Sequence, residues 1–163
     1  MEICPQEAKT FDSDLAYVKS LLYKKERVVV SLDPSYRGLL DYEDSGQIVD
    51  ALLKLGFSQV RETAEGAAII TREYVRLMKE GKMDNIIVTS CPAIVYLVEK
   101  HYPMLIPYLA PVVSPMIAHG RWIKDRMGQH TKVVFIGPCV AKKMEAEADS
   151  RTRGCVDAVI EFN

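Results

Sequence analysis

The residues best suited to chemistry in this sequence are two cysteines in similar settings, Cys91 and Cys139. Each follows an apolar, β-branched run, stands beside a proline, Pro92 or Pro138, and precedes a helical pattern. In an open parallel sheet the carboxyl ends of the strands border the ligand site, and each following helix offers free backbone N–H groups there. The sequence therefore predicts that the two thiols meet at one site.

Two adjacent thiols can hold a soft metal ion or part of an iron–sulfur cluster, and a helix N-terminus or a lysine nearby would favour the thiolate form. A cubane cluster takes four cysteines, so Cys91 and Cys139 would supply half of its ligands. On spacing alone, two buried structural cysteines explain the pattern equally well. Both interpretations stay open at this point.

The surrounding pattern alternates short β-branched runs with longer helical periodicities. This alternation is typical of right-handed βαβ units. It predicts an α/β fold with three layers, in which a mainly parallel sheet of four to five strands is flanked by helices. The expected strands are 27–32, 59–62, 84–89, 132–136 and 158–160, and the expected helices include 45–55, 64–79, 115–127 and 141–148.

Composition limits the classes of function. The 163 residues are 48% hydrophobic and 26% charged, with a formal net charge of -1, which is typical of one compact globular domain. This charge gives no reason to expect nucleic acid or an anionic membrane as a partner. The sequence has neither a secretory signal nor an apolar run of about 20 residues, so we expect a cytoplasmic protein.

Four segments together resemble iron-only (FeFe) hydrogenases. Residues 89–93, Thr-Ser-Cys-Pro-Ala, resemble that family's first cluster-binding motif, Thr-Ser-Cys-Cys-Pro, and residues 99–103 continue as the family does. Residues 114–116 resemble its Ser-Pro segment, and residues 137–145 are similar to its second motif, Met-Pro-Cys-x-x-Lys-x-x-Glu. The order of the motifs also agrees with the family.

The resemblance implies a cofactor, the H-cluster, in which a 4Fe-4S cubane is bridged to a two-iron centre carrying carbon monoxide and cyanide. Cys91 and Cys139 take the positions of two cubane ligands, and Lys142 that of the lysine that hydrogen-bonds a cyanide. An ammonium group is a suitable donor to such an anionic acceptor. The remaining residues expected to contact the cofactor are Ser114, Gly137 and Pro138.

Three positions bear on the family's catalysis. Ser90 stands where catalytic members have a proton-transferring Cys, and a hydroxyl is a poorer proton donor and acceptor there. Gly137 replaces a Met beside the two-iron site, from which we expect a larger cavity. Glu73 is retained where the family places the acidic residues of its proton path, and an apolar or neutral residue replaces the second acidic residue of that path. Low turnover is therefore expected.

The resemblance also implies how the chain is divided. Cys4-Pro5 is similar to the end of a ferredoxin-type cluster motif, so residues 1–10 are interpreted as the remnant of a preceding ferredoxin-like domain, with Cys4 as a further candidate metal ligand. Residues 11–163 correspond to the first lobe of an H-cluster domain. The family's third motif is absent, so we expect this fragment alone to bind no cofactor. Cys155 matches no ligand position and is expected in a loop or at a strand edge.

These features favour an iron–sulfur domain of a hydrogenase-like protein that senses hydrogen or redox state with low turnover. A catalytic hydrogenase and a non-catalytic iron–sulfur carrier or assembly protein of the same fold are the alternatives, and a plain α/β binding domain is the least specific one. Expected partners are a ferredoxin-type electron donor, or a fused ferredoxin domain, and the C-terminal half of the domain. His101 and His119 are weaker candidates for metal ligands.

Overall fold

A four-stranded parallel sheet organises the chain. The computed structural model describes residues 12–148, 150 and 152–162. In this part, the strands lie in the order β2-β1-β3-β4, and each pairs with its neighbours in parallel. The strands are β1 (Val28–Leu32), β2 (Gln59–Glu62), β3 (Lys132–Gly137) and β4 (Ala158–Glu161).

Helices connect and cover these strands, and the four predicted helices, 45–55, 64–79, 115–127 and 141–148, agree with the structure to within one residue at each end. The longest of them is followed by Gly81, whose φ of +59° suits glycine. In the described residues no helix is long and apolar enough to cross a membrane. The α-helices are α1 (Leu15–Tyr23), α2 (Tyr36–Leu39), α3 (Ser45–Lys54), α4 (Ala64–Glu80), α5 (Pro92–His101), α6 (Pro115–Met127) and α7 (Ala141–Ala148), and a 3₁₀ helix covers Pro103–Tyr108.

The sheet is buried on both faces, which confirms the three-layer α/β prediction. On one face, alternate residues of β1 pack with residues of α1 and with Phe57. On the other face, Val29 of β1 and residues of β3 pack against α6 and α7. Continuous β-branched runs form such strands because both faces of a parallel strand need apolar side chains. All five residues of β1 are buried.

The predicted strand at 84–89 is wrong. In this segment the described backbone forms only a bridge, in which Ile87 donates to the Tyr108 carbonyl at 2.7 Å and accepts from the Ala110 amide at 2.9 Å. The partner segment is flanked by Pro107 and Pro111, which have no N–H to extend a ladder. The run that leads to Cys91 therefore lies outside the sheet.

A buried polar network joins β1 to the helices on one face. The Ser31 hydroxyl lies 2.8 Å from the Thr63 hydroxyl and 2.8 Å from Nδ1 of His119, and all three residues are buried. Nε2 of His119 has no hydrogen-bond partner among the described residues and lies 3.7 Å from a Glu65 carboxylate oxygen. Helices α4 and α6 approach closely here, since a Cβ on Gly66 would lie 2.7 Å from the Cβ of His119.

Burial of His119 gives the fold a pH dependence. Burial lowers the pKa of His119 from 6.5 to about 4, although the Glu65 carboxylate opposes the shift. Because His119 binds a proton more readily in the unfolded chain, the stabilisation that comes from burying it in its neutral form is complete above the unfolded pKa of about 6.5. That stabilisation is lost as the pH falls from about 6.5 toward 4.

We expect the free energy of unfolding to fall by about 3 kcal/mol through His119 over this pH range. Urea unfolding at a series of pH values measures it. His119→Asn should flatten this part of the profile, whereas His130→Gln, at an exposed histidine, should leave it unchanged. Parallel profiles for the His119 variant and the wild type would contradict the assignment.

Candidate functional site

Both cysteines lie at the beginning of a helix, as the sequence predicts. Cys91 is the residue before α5 and is exposed, with Pro92 as the first helical residue. Cys139 lies between β3 and α7 and is partly buried. Both are free thiols, and the helix N-termini beside them leave backbone N–H groups without helical partners, which can donate to an anionic ligand.

Lys142 joins the two cysteine segments. Its side chain is buried, and its ammonium group donates to the Ser90 carbonyl at 3.1 Å, so α7 is tied directly to the residue before Cys91. Burial lowers the pKa of Lys142. The Glu145 carboxylate, 4.0 Å away, opposes this shift, as do the thiols of Cys139 and Cys91. A buried cation therefore lies within electrostatic reach of both thiols.

Ser114 and Pro138 have different positions at this site. Ser114 is fully buried and caps α6, because its hydroxyl accepts from the Ile117 amide at 3.4 Å. Its own amide donates to Glu145 at 3.2 Å, which ties α6 to α7. Pro138 is exposed at the end of β3. The structure gives Ser114 a role in positioning the helices, and the contact of both residues with a cofactor stays a prediction.

The expected cavity at Gly137 is wrong. A Cβ at this position would lie 2.6 Å from two ring carbons of Phe135 and 2.9 Å from the Cβ of Asp33. Real Cβ atoms essentially never approach other atoms so closely. The space that a side chain at position 137 would use is therefore filled by the Phe135 ring and Asp33, and no enlarged space is left there.

The predicted proton-path residue Glu73 lies on the surface of α4. Its carboxylate accepts from Arg76, which lowers the pKa of Glu73. The next residue, Tyr74, instead contacts the segment before Ser90, since its hydroxyl lies 2.9 Å from the Thr89 amide nitrogen. The sequence does not single out Tyr74, because an amphipathic pattern does not fix which of two adjacent helical residues faces a loop outside the sheet.

The other candidate ligands lie apart from this arrangement. Cys155 lies in the loop before β4, as predicted, and its sulfur accepts from Nε of Arg121 at 3.3 Å. His119 belongs to the buried network and His101 is exposed at the end of α5. Cys4 lies outside the described residues. Within those residues, no three His, Cys, Asp or Glu side chains are grouped closely enough to hold a metal ion.

A cavity of about 630 Å³ lies behind the Cys91 helix. Its lining includes Thr89 and Pro92 at the beginning of the helix, the aromatic ring of Tyr96, and the charged residues Arg121 and Glu145. The lining includes neither Cys91 nor Cys139. The cavity therefore adjoins the cysteine site without containing the thiols.

The donor set fits part of an iron–sulfur cluster. Two free thiols stand at helix N-termini, with the buried cation Lys142 between their segments. Thiolate ligands, nearby backbone N–H groups and positive charge suit an anionic cluster. Two thiols are half of the ligands that a cubane takes.

A sequence model of the family described as "Iron only hydrogenase large subunit, C-terminal domain" matches residues 26–163. The chain belongs to this family. It also has 31% identity over 102 residues to "Cytosolic Fe-S cluster assembly factor NAR1" of Yarrowia lipolytica, which is 58% of this chain and 21% of that protein.

Solved hydrogenases share the fold of the chain. A single-residue variant of the FeFe-hydrogenase HydA1 from Chlamydomonas reinhardtii superposes with a TM-score of 0.68 at 23% identity, over 92% of this chain and 45% of that one. A structure of HydA(deltaEFG), described as revealing stepwise FeFe-hydrogenase H-cluster assembly, gives a TM-score of 0.69 at 24% identity, over 92% of this chain and 44% of that one. The chain thus spans less than half of these hydrogenase chains.

The packing at Gly137 can be tested by substitution. Gly137→Ala should lower the free energy of unfolding by about 1–3 kcal/mol, because the added Cβ meets the Phe135 ring and Asp33. Chemical denaturation measures the loss. In a Phe135→Leu background the same substitution should cost about 1 kcal/mol less. Gly38→Ala is the control, since no atom lies within 4 Å of its added Cβ. Equal costs in both backgrounds would contradict the steric explanation.

Proposed function

We propose that this chain is the iron–sulfur-binding part of a hydrogenase-like protein that senses redox state or hydrogen and has low hydrogen turnover. The observation that carries the proposal is the pair of free thiols, Cys91 and Cys139, at two helix N-termini whose segments are joined by the buried Lys142. The family, described as iron-only hydrogenase, supports the same class of cofactor.

In this proposal the protein side chains bind and polarise the cofactor. Cys91 and Cys139 each supply a thiolate to a 4Fe-4S cubane of an H-cluster-type cofactor. Lys142 would donate hydrogen bonds to that anionic group, whose negative charge would oppose the lowering of the lysine pKa by burial. When bound, the cofactor supplies one-electron redox chemistry. Exposure of Cys91 leaves one side of the site accessible to further ligands and to an electron donor.

Low turnover follows from the groups around Ser90. Ser90 offers a hydroxyl where a thiol would exchange protons more readily near neutral pH. On α4, Glu73 is held by Arg76, and the group that reaches toward Ser90 is the Tyr74 hydroxyl. A phenol gives up its proton far less readily than a carboxylic acid or a thiol, so it is a poorer proton carrier. This arrangement suits a cofactor that reports its oxidation state better than one that turns over.

The remaining ligands of the cubane must come from outside the described residues. The chain segments that follow the two cysteines expose apolar side chains: Ile94 and Leu97 in α5, Val140 just before α7, and Met144 within α7. We propose that this surface contacts the part of the protein that completes the cofactor, corresponding to the C-terminal half of the domain. A ferredoxin-type protein or fused domain would supply electrons. A cytoplasmic location is consistent with the name of the cytosolic relative.

Iron–sulfur cluster assembly is the second candidate function. The sequence relation to an assembly factor, at 31% identity over 102 residues, favours it specifically. An assembly protein must release its cluster to an acceptor, whereas a sensor must retain it. Transfer of a loaded cluster to an apo-ferredoxin, faster than its loss to a chelator, would support assembly and contradict sensing.

Ligand variants test the proposed cluster site. After anaerobic reconstitution of the whole protein with iron and sulfide, Cys91→Ser and Cys139→Ser should each reduce bound iron by about tenfold or more. Cys155→Ser, at a thiol that accepts from Arg121, should not. Iron analysis and electron paramagnetic resonance of the reduced protein measure the difference. Wild-type iron content in either ligand variant would refute the assignment.

Position 90 distinguishes sensing from turnover. In the whole protein after cofactor maturation, the wild type should show infrared bands of carbon monoxide and cyanide and little hydrogen production from a reduced dye. Ser90→Cys should raise that rate by about 10²-fold, the size of a general acid–base contribution. High wild-type activity that Ser90→Cys leaves unchanged would favour the catalytic hydrogenase. Absence of the bands in cubane-loaded protein would exclude the two-iron part.

A further inference from the structure

The backbone that leads to Cys91 is held by few backbone hydrogen bonds. Because residues 84–89 form no strand, the backbone–backbone hydrogen bonds between this segment and its neighbour are, among the described residues, only those of the bridge at Ile87. Cys91 lies four residues further along the chain and is exposed. A ligand at such a position needs side-chain interactions to fix it, since a lone bridge restrains only the residues beside it.

Thr89 provides that anchor. Its hydroxyl donates to the Val112 carbonyl at 2.6 Å, and the Ala110 carbonyl lies 3.2 Å away. Its backbone amide donates to the Tyr74 hydroxyl at 2.9 Å, and the two hydroxyl oxygens lie 3.2 Å apart. A threonine hydroxyl has one proton to donate, and that of Thr89 is directed at the Val112 carbonyl. We therefore assign Tyr74 as the donor in the bond between the two hydroxyl groups.

Tyr74 and Thr89 therefore form a reciprocal pair. The Thr89 amide donates to the Tyr74 oxygen, and the Tyr74 hydroxyl donates back to the Thr89 oxygen. A carboxylate at position 74 could accept from the amide but could not donate to the hydroxyl, and a phenylalanine could do neither. A tyrosine or another hydroxyl group of the same reach is required for both bonds.

The pair also has a fixed support. Tyr74 belongs to α4, which packs tightly on α6 through Gly66. On the other side of Thr89, the next carbonyl, that of Ser90, accepts from Lys142. The short segment before Cys91 is thus held by α4 through a side-chain pair and by α7 through an ammonium group.

We propose that Tyr74 is a positioning residue for Cys91, because its hydroxyl, acting through Thr89, fixes the backbone that presents this thiol at the site. The proposal deepens the proposed function and rests on it where Cys91 is taken as a cluster ligand. The restraint on the backbone is independent of any cluster and can be measured without one.

The first experiment uses the cluster-free protein. In Tyr74→Phe, amide hydrogen exchange should accelerate about tenfold at Thr89 and at Val95, whose amide donates to the Cys91 carbonyl at 3.2 Å, as expected when a partly buried hydrogen bond that opposes local opening is lost. Thr89→Val should accelerate exchange at Val95, and Thr89→Ser, which keeps the hydroxyl, should not. The matched controls are Tyr23→Phe, at an exposed tyrosine, and Thr71→Val, whose hydroxyl bonds within α4.

The second experiment uses the reconstituted protein. The rate of iron loss to a chelator should rise about tenfold in Tyr74→Phe and Thr89→Val, and the electron paramagnetic resonance spectrum of the reduced cluster should shift. Thr89→Ser and both controls should resemble the wild type. A lower melting temperature with unchanged exchange at Val95, the amide that donates to the Cys91 carbonyl, would mean that the pair supports only the fold, and the proposal would be overturned.

The two experiments separate the two claims. If the wild type binds no cluster, the proposed function fails, and the exchange experiment still decides whether Tyr74 restrains Cys91. If exchange accelerates but the loaded cluster keeps its rate of iron loss and its spectrum, Tyr74 does not position a ligand and the proposal is overturned.

Discussion

The site depends on one partly buried hydrogen bond, from the Lys142 ammonium to the Ser90 carbonyl at 3.1 Å. It links α7, which follows strand β3, to a segment that lies outside the sheet. Burying a lysine is unfavourable unless its charge is compensated, and the compensation here comes from Glu145 and from thiols at the site. The same ammonium group that ties the two segments together therefore suits an anionic ligand between them. The Lys142 side chain therefore affects both the relative position of the two cysteine segments and the electrostatic potential between them.

The core of the sheet limits what the site can hold. Phe135 and Gly137 lie two residues apart on β3, so both face the same side of the sheet. The Phe135 ring packs in the core and extends under Gly137, beside Asp33 of the neighbouring chain segment. A side chain at position 137 would have to displace core atoms, which are close-packed and yield only at a cost. The composition of the core thus decides the shape of the site at this edge.

Sequence patterns predicted the four sheet strands and the cysteine positions, because β-branched runs that are buried on both faces leave a clear signal. They failed at residues 84–89, where the run is equally apolar but its partner is interrupted by Pro107 and Pro111. They could not choose Tyr74 over Glu73, since adjacent helical residues differ by about 100° and the loop they face was not known. Nor could they show that Lys142 is buried while Lys143 pairs with Asp14, because two adjacent lysines look alike in a sequence.

Retention and release of a cluster make opposite demands on the cysteine segments. A segment that must open to pass on a cluster is best held weakly, whereas one that must keep its cofactor through many redox cycles is best fixed before the cofactor arrives. The Cys91 segment lacks strand partners, which alone would suit release. It is nevertheless held by the Tyr74–Thr89 pair on one side and by Lys142 on the other. Because these restraints come from the protein's own side chains, a cluster that binds here need not order the segment itself, and this favours retention and hence a sensing role.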